Sequence, residues 1–324
     1  MKPIHFVLTM VLTFTGISTA SNSQTAQEFM NRRKEVISRM VPGSVMILRT
    51  SDPNARFDVS RRGGNFYYLT GIDEPGCTLV LLSNDLVSGT GALSATNEVL
   101  FIRPLNSARV NWDAQTIGIE GAKTKYGLEE TGSSQFAQEF TGRLLVSPLK
   151  TVYIDMEKPA LVNAPLSDNE QLIKMARDHG ATFTVLSPST IIKPMLSVKS
   201  PAEIELTRKA VEITAEAQRE AIRSLKPDMY EYQLEAVVRY VFSVNGSKSL
   251  SFPTIIGSGI NSVVLHWMEN SKKMEAGDLV VVDCGAEKDM YCADITRTYP
   301  VSGKYTERQK AIYDIVLNAN EEAI

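Results

Sequence analysis

Cysteine and histidine are scarce in this chain. Three cysteines in 324 residues (Cys77, Cys284, Cys292) exclude a disulfide framework and a cysteine-rich zinc module. Three histidines (His5, His179, His266) leave few imidazoles for any metal or catalytic site. Charge of one sign is also missing. With 34 Lys+Arg against 37 Asp+Glu the formal balance is −3, and no Lys/Arg block occurs, so nucleic acid is not an expected partner. Beyond residue 20 no apolar run approaches the length of a membrane span. No Gly-x-Ser-x-Gly elbow is present, and no cysteine lies near a histidine, so a nucleophilic triad has little support. Gly257-Ser258-Gly259 lacks the third glycine of a phosphate loop and reads as a turn.

What remains is a chain with 43% hydrophobic and 22% charged residues, the composition of a folded globular protein of two domains. Residues 1–20 form a leader: Lys2, an apolar stretch from Ile4 to Ile17, then Ser18-Thr19-Ala20 where a signal peptidase reads small side chains. A secreted or periplasmic protein with no membrane span after cleavage is expected. From there to about residue 190 strand-like runs alternate with helical segments. Strands are expected at 44–48, 77–82, 98–102, 151–154 and 182–186, and helices at 26–39 and 169–179. This is the pattern of an α/β domain over 21–190. Arg61-Arg62-Gly63-Gly64-Asn65 reads as a loop, and His179 as a helix-end residue.

Ser187-Pro188-Ser189-Thr190, with Pro194 beyond, marks a boundary. A helix capped by Ser200, with Pro201 in its first turn and Glu203 completing a capping box, runs to Leu225, and a second follows over 231–244. Strands are then expected at 254–256, 262–266, 279–285 and 291–298. Residues 191–324 therefore read as α+β, closed by an amphipathic helix from Glu307.

The chemistry concentrates in 278–298, two strand-like segments flanking a polar turn. A turn centred between Lys288 and Asp289 sets Asp283 directly opposite Asp294 on one face of a hairpin, Cβ atoms about 5 Å apart. Cys284 then points to the other face, so Cys284 and Cys292 do not pair, and the cysteines read as small buried side chains. Two like charges so placed repel. A solvated coincidence, a shared proton, or hard divalent cations on oxygen ligands would each account for them. His266, alone after Val263-Val264-Leu265, reads on its own as a core histidine.

At these residues the sequence resembles the aminopeptidase P (Xaa-Pro aminopeptidase) members of the pita-bread metallopeptidases. The resemblance rests on Thr254-Ile255-Ile256-Gly257-Ser258-Gly259, Leu265-His266, Gly277-Asp278-Leu279-Val280 and Val282-Asp283-Cys284-Gly285. It continues through Asp294-Ile295-Thr296-Arg297-Thr298-Tyr299-Pro300 and Gly303-Lys304. Phe66-Tyr67-Tyr68-Leu69-Thr70-Gly71 with Glu74-Pro75-Gly76 is similar to the family's N-terminal domain. The resemblance implies an α/β domain followed by an α+β pita-bread domain. It implies peptide substrates with proline in second position, and a homo-oligomer of the full-length form. It also makes Asp283 and Asp294 ligands of two divalent metal ions, usually manganese, and His266 the catalytic histidine beside the substrate. Such metals activate water and polarise the scissile carbonyl.

The family's remaining ligands, one histidine and two glutamates on later strands, have no counterpart here. No histidine follows Asp294, and Glu307, Glu321 and Glu322 do not match the glutamate motifs. The pita-bread domain is therefore expected to be incomplete, the chain being part of a longer protein or the product of an interrupted gene, and inactive by itself. Prolidase-type dipeptidases share the same ligands. Creatinase, which lacks them, and the single-domain methionine aminopeptidases fit less well. A catalytically silent pita-bread binding module is the alternative from a different class.

Overall fold

The computed structural model describes residues 24–50, 64–87, 94–105, 116–156 and 166–324. The leader at 1–20 and the Arg61-Arg62-Gly63 part of the expected loop lie outside the described residues.

A mixed six-stranded sheet organises the N-terminal unit. Its strands are β1 (Ser44–Arg49), β2 (Thr78–Leu82), β3 (Glu98–Ile102), β4 (Glu130–Ser133), β5 (Thr151–Ile154) and β6 (Thr184–Leu186), in the order β4-β3-β2-β1-β5-β6. β1 runs antiparallel to β2 and parallel to β5. Helices cover both faces, which is why the central strands read as unbroken apolar runs rather than alternating ones. Met46 and Leu48 face a core shared with α1 (Ala26–Arg39), α2 (Gly64–Thr70) and α6 (Ser189–Ser197). Val45 and Ile47 face a second core under α4 (Ala137–Leu145) and α5 (Asp168–Asp178).

Four helices arise where none was expected: α2, α3 (Gly118–Tyr126), α4 and α6. Each is short and draws its stability from tertiary burial, for which propensity gives little warning. Within the expected boundary, Ser189 and Thr190 open α6, and Ile191 and Ile192 lock that helix into the first core. The connection between units then runs through Val198 to Ser200.

The C-terminal unit consists of α7 (Pro201–Ser224) and α8 (Glu231–Val244) packed on a three-stranded antiparallel sheet. Its order is β11 (Ile295–Pro300), β8 (Leu279–Cys284), β7 (Ile255–Ser258), with the small ribbon β9 (Glu287–Lys288)/β10 (Tyr291–Cys292) at the hairpin tip. Both arms of the capping box on α7 are made: Ser200 N–H donates to Glu203 Oε2 (2.8 Å), and Glu203 N–H donates to Ser200 Oγ (3.2 Å). The strand expected at 262–266 does not form. A 3-10 turn (Gly259–Val263) and irregular backbone replace it, leaving Val263, Val264 and Leu265 facing solvent. α9 (Glu307–Ala323) closes the chain without burying any residue. No described helix is long and apolar enough to cross a membrane.

A fully buried arginine of the N-terminal unit is ion-paired. Arg33, fully buried on α1, donates through Nε to Glu98 Oε2 at 2.6 Å, and its other guanidinium nitrogens reach the carbonyls of Leu69 and Gly127. Glu98 also accepts from the Glu129 N–H at 2.9 Å. α1, β3 and the turn after α3 are thus tied at one point. Removing one partner of such a pair strands the other charge in the core. Arg33→Met should lower unfolding stability by about 3–5 kcal/mol in urea titrations. Adding Glu98→Gln should recover much of that loss, because the charge is then gone while the Glu129 contact can persist.

A candidate metal-binding and catalytic site on the β8–β11 hairpin

β8 alternates between its two faces. Val280, Val282 and Cys284 are buried under α7 and α8, whereas Leu279, Val281 and Asp283 lie half-exposed on the opposite face. Period-two alternation therefore carries Asp283 away from the helices as directly as it carries Cys284 beneath them. Burial pushes the Cys284 thiol up to about 12, the neighbouring Asp283 and Asp294 charges adding to the shift. It is no nucleophile at neutral pH. Cys77 is likewise buried, Cys292 only half-buried, and no disulfide joins the three.

The hairpin turn differs from the expected one. Its central residues are Asp289 (φ 47°) and Met290 (φ 69°), flanked by the pair Lys288–Tyr291. Left-handed backbone at both centres is the signature of the two-residue turn that matches strand twist. The turn centre thus falls one residue later than Lys288/Asp289, and Asp283 pairs with Thr296 rather than with Asp294. A shift of two positions preserves the face. Asp294 becomes the diagonal neighbour of Asp283, in the break between β10 and β11. Gly285 permits that break, since a Cβ there would sit 1.9 Å from the Ala293 carbonyl oxygen.

The two carboxyl groups meet. Asp283 is held above the usual carboxylate range, chiefly by desolvation and further by the neighbouring Asp294 carboxyl. Thr296 Oγ1 opposes this by donating to Asp283 Oδ1 at 2.7 Å, and attraction to His266 opposes it too. His266 lies exposed on the irregular segment after the 3-10 turn, close enough for its charge to act on Asp283. Its place is an open rim and not a core. His179 is exposed at the end of α5, its Nδ1 at the Met175 carbonyl.

Two supports of the hairpin escaped the sequence reading. Gln218, buried on α7, donates through Nε2 to the carbonyls of Val282 (3.0 Å) and Ile295 (2.8 Å), and its Oε1 accepts from Tyr299 Oη (2.9 Å). It spans β8 and β11 beside the carboxylate pair. Thr214 Oγ1 accepts from the Ala286 N–H at 2.9 Å. Helical periodicity marks both as inward-facing; nothing in the sequence marks them as partners of strand backbone.

Paired hard oxygen donors with unfilled acceptor capacity suit a divalent cation that prefers oxygen. Among the described residues no group of three or more His, Cys, Asp or Glu side chains converges where a metal could sit. The pair by itself offers two such side chains. In metal-free protein it is a source of instability. A carboxyl group with a raised folded-state pKa destabilises the fold when ionised, fully above that pKa and not at all below the unfolded-state value. Asp283→Asn should therefore raise the melting temperature of the metal-free chain slightly at neutral pH, by about 1–2 °C, solvent screening keeping the effect small. The gain should vanish in acid, where both states are protonated; thermal melts across pH test it.

Comparison with known proteins places the chain in a family. Residues 205–324 match the model of metallopeptidase family M24, and residues 29–153 match that of the aminopeptidase P N-terminal domain. Xaa-Pro aminopeptidase of Escherichia coli K12 is 35% identical over 308 residues, covering 92% of this chain and 67% of that protein. Its Haemophilus influenzae counterpart is 32% identical over 311 residues, covering 92% and 66%. Among solved structures, an E. coli aminopeptidase P variant in complex with substrate aligns at a TM-score of 0.80 and 33% identity, over 92% of this chain and 68% of the other. Proline aminopeptidase P II from Yersinia pestis aligns at 0.80 and 32%, over 93% and 68%. The chain thus spans about two thirds of the length of these relatives. It belongs to metallopeptidase family M24, in the branch that carries the aminopeptidase P N-terminal domain.

Proposed function

We propose that this chain carries the metal-binding hairpin and part of the substrate site of a Xaa-Pro aminopeptidase, an enzyme that releases the N-terminal residue from peptides with proline in second position. The observation that carries this reading is the Asp283/Asp294 pair, two carboxyl groups brought together on the open face of a small sheet in a family of metallopeptidases. A peptide bond to proline has no N–H, so a protease that relies on that donor is at a disadvantage. Attack from an activated water avoids the need for it.

In this reading Asp283 and Asp294 hold two divalent cations, manganese being the expected ion. When bound, such cations supply Lewis acidity toward the scissile carbonyl and toward water. The chain's own residues do the positioning. Thr296 fixes one oxygen of Asp283 through its hydroxyl. Asp294 shares that face. His266, exposed on the rim, offers an imidazole to hydrogen-bond the substrate at the scissile position. Residues 1–20 serve as an export leader in this proposal, and a homo-oligomer is the expected assembly of the longer form.

Two carboxylates alone hold hydrated cations only loosely. The 324-residue chain by itself is therefore expected to hydrolyse Xaa-Pro peptides poorly. In a longer polypeptide supplying the remaining ligands, manganese should support activity, chelators should abolish it, and Asp283→Ala should lower it by at least about 100-fold. Release of the first residue from a Xaa-Pro tripeptide is the measurement. Cleavage of Xaa-Pro dipeptides alone would favour a prolidase-type enzyme, and no cleavage by a polypeptide with the full ligand set would favour a silent binding module.

A further inference from the structure

The segment that presents His266 has little apolar hold on the rest of the molecule. Ile260, Val263, Leu265 and Met268 are 75%, 74%, 89% and 56% exposed. A loop of this kind should wander, since few buried contacts oppose its opening. What fixes it is polar. Glu231, the first residue of α8, is fully buried, and its carboxylate receives five donors. Oε1 accepts from the Ser258 N–H (2.7 Å), Ser258 Oγ (2.7 Å) and Asn261 Nδ2 (3.2 Å). Oε2 accepts from Trp267 Nε1 (2.9 Å) and the Lys272 N–H (2.9 Å). Ser258 and Lys272 are the two ends of the loop, and Trp267 adjoins His266.

We propose that Glu231 is a positioning residue for His266: one buried carboxylate closes the loop 258–272 at both ends and holds the indole beside the imidazole. The importance of that imidazole rests on the peptidase reading above; the clamp itself does not. Every partner is a donor, so only an acceptor-only group satisfies them all. A glutamine could serve one side of the clamp, but its amide nitrogen would then oppose donors on the other. Asn270 closes the same loop independently. It is buried, with φ 47°; its Oδ1 accepts from the Ile256 N–H (2.9 Å), and its Nδ2 donates to the Thr254 carbonyl (2.9 Å) and to Glu235 Oε2 (2.7 Å). The backbone below His266 is therefore anchored by Asn270, and the orientation of the stretch from Gly259 to Trp267 falls to Glu231.

The test is Glu231→Gln in the full chain, read by hydrogen exchange, by Trp267 fluorescence in a Trp112→Phe background, and by broadening of the His266 ring signals on adding Mn²⁺. The expected result is exchange across 259–272 faster by about 10-fold or more, with α7 and the buried strands unchanged. Trp267 emission should shift to the red as its N–H loses the carboxylate, and Mn²⁺ broadening of His266 should weaken at undiminished Mn²⁺ affinity. Unchanged exchange and emission in the loop, or an equal rise throughout the unit, would overturn the proposal. If wild-type His266 is not broadened by Mn²⁺ while the loop still loosens, the metallopeptidase reading fails and the clamp stands. Should Glu231→Gln not fold, Trp267→Phe removes a single donor and should speed exchange over 264–269 by a few-fold, about 3-fold; no change there would also count against the clamp.

Discussion

Two carboxyl groups that repel one another are held together on the β8–β11 hairpin, and much of the C-terminal unit serves to keep them there. Left to itself a two-stranded ribbon would relieve the repulsion by slipping register or splaying. Gln218 prevents this by binding a carbonyl from each strand, and Thr214 secures the tip through Ala286. Both lie on α7, one turn apart, so a single helix face fixes the separation and register of the strands. The apolar side of β8 packs beneath the same helix, and burial of Val280, Val282 and Cys284 opposes any motion that would turn Asp283 inward.

α7 also joins the hairpin to the N-terminal unit. Glu203, buried near its start, accepts from Tyr291 Oη at the hairpin tip (2.9 Å) and pairs with Arg32 of α1 (3.3 Å). Arg32 in turn lies over the Tyr68 ring, 4.2 Å from its centroid, and donates to the Tyr68 carbonyl. Tyr68 belongs to the aromatic run that the sequence shares with the family's N-terminal domain. A continuous set of hydrogen bonds, an ion pair and a cation–π contact therefore leads from that run to the strand ends beside Asp294. This explains why a motif far from the carboxylates in sequence accompanies them: it sets the position of the helix on which their hairpin is built.

Elements with strong periodicity or caps were legible in the sequence. β3, β5, α1 and α8 fall at the expected residues, and the Ser200/Glu203 box starts α7 where its spacing said it would. The short helices were not, because α2, α4 and α6 form on contact with the sheet. Val263-Val264-Leu265 misled for the opposite reason: β-branched residues suggested a strand, but no strand among the described residues pairs with them. The carboxylate pair was visible as a pair, while its register was not. That depended on Asp289 and Met290 both adopting left-handed backbone without a glycine, which sequence chemistry does not favour. Glu231 was legible only as the start of a helix. Its burial and its five donors come from residues up to 41 positions away.

The carboxylates of this molecule divide by how fully their acceptor capacity is used. Glu98 takes a guanidinium and a backbone N–H; Glu203 takes Arg32, Tyr291 and the Ser200 N–H; Glu231 takes five donors. Each of these is buried and has its charge answered from within the chain, as burial of an ionised group demands. Asp283 is different. It has one hydroxyl donor, and the group facing it is a second carboxyl rather than a cation. Glu98, Glu203 and Glu231 are thus satisfied from within the chain, whereas Asp283 faces Asp294 with one hydroxyl donor and the attraction of His266; in the proposed reading a bound cation would supply the rest. Saturated carboxylates hold the scaffold, and in the proposed reading a hard cation would bind where acceptor capacity is left over.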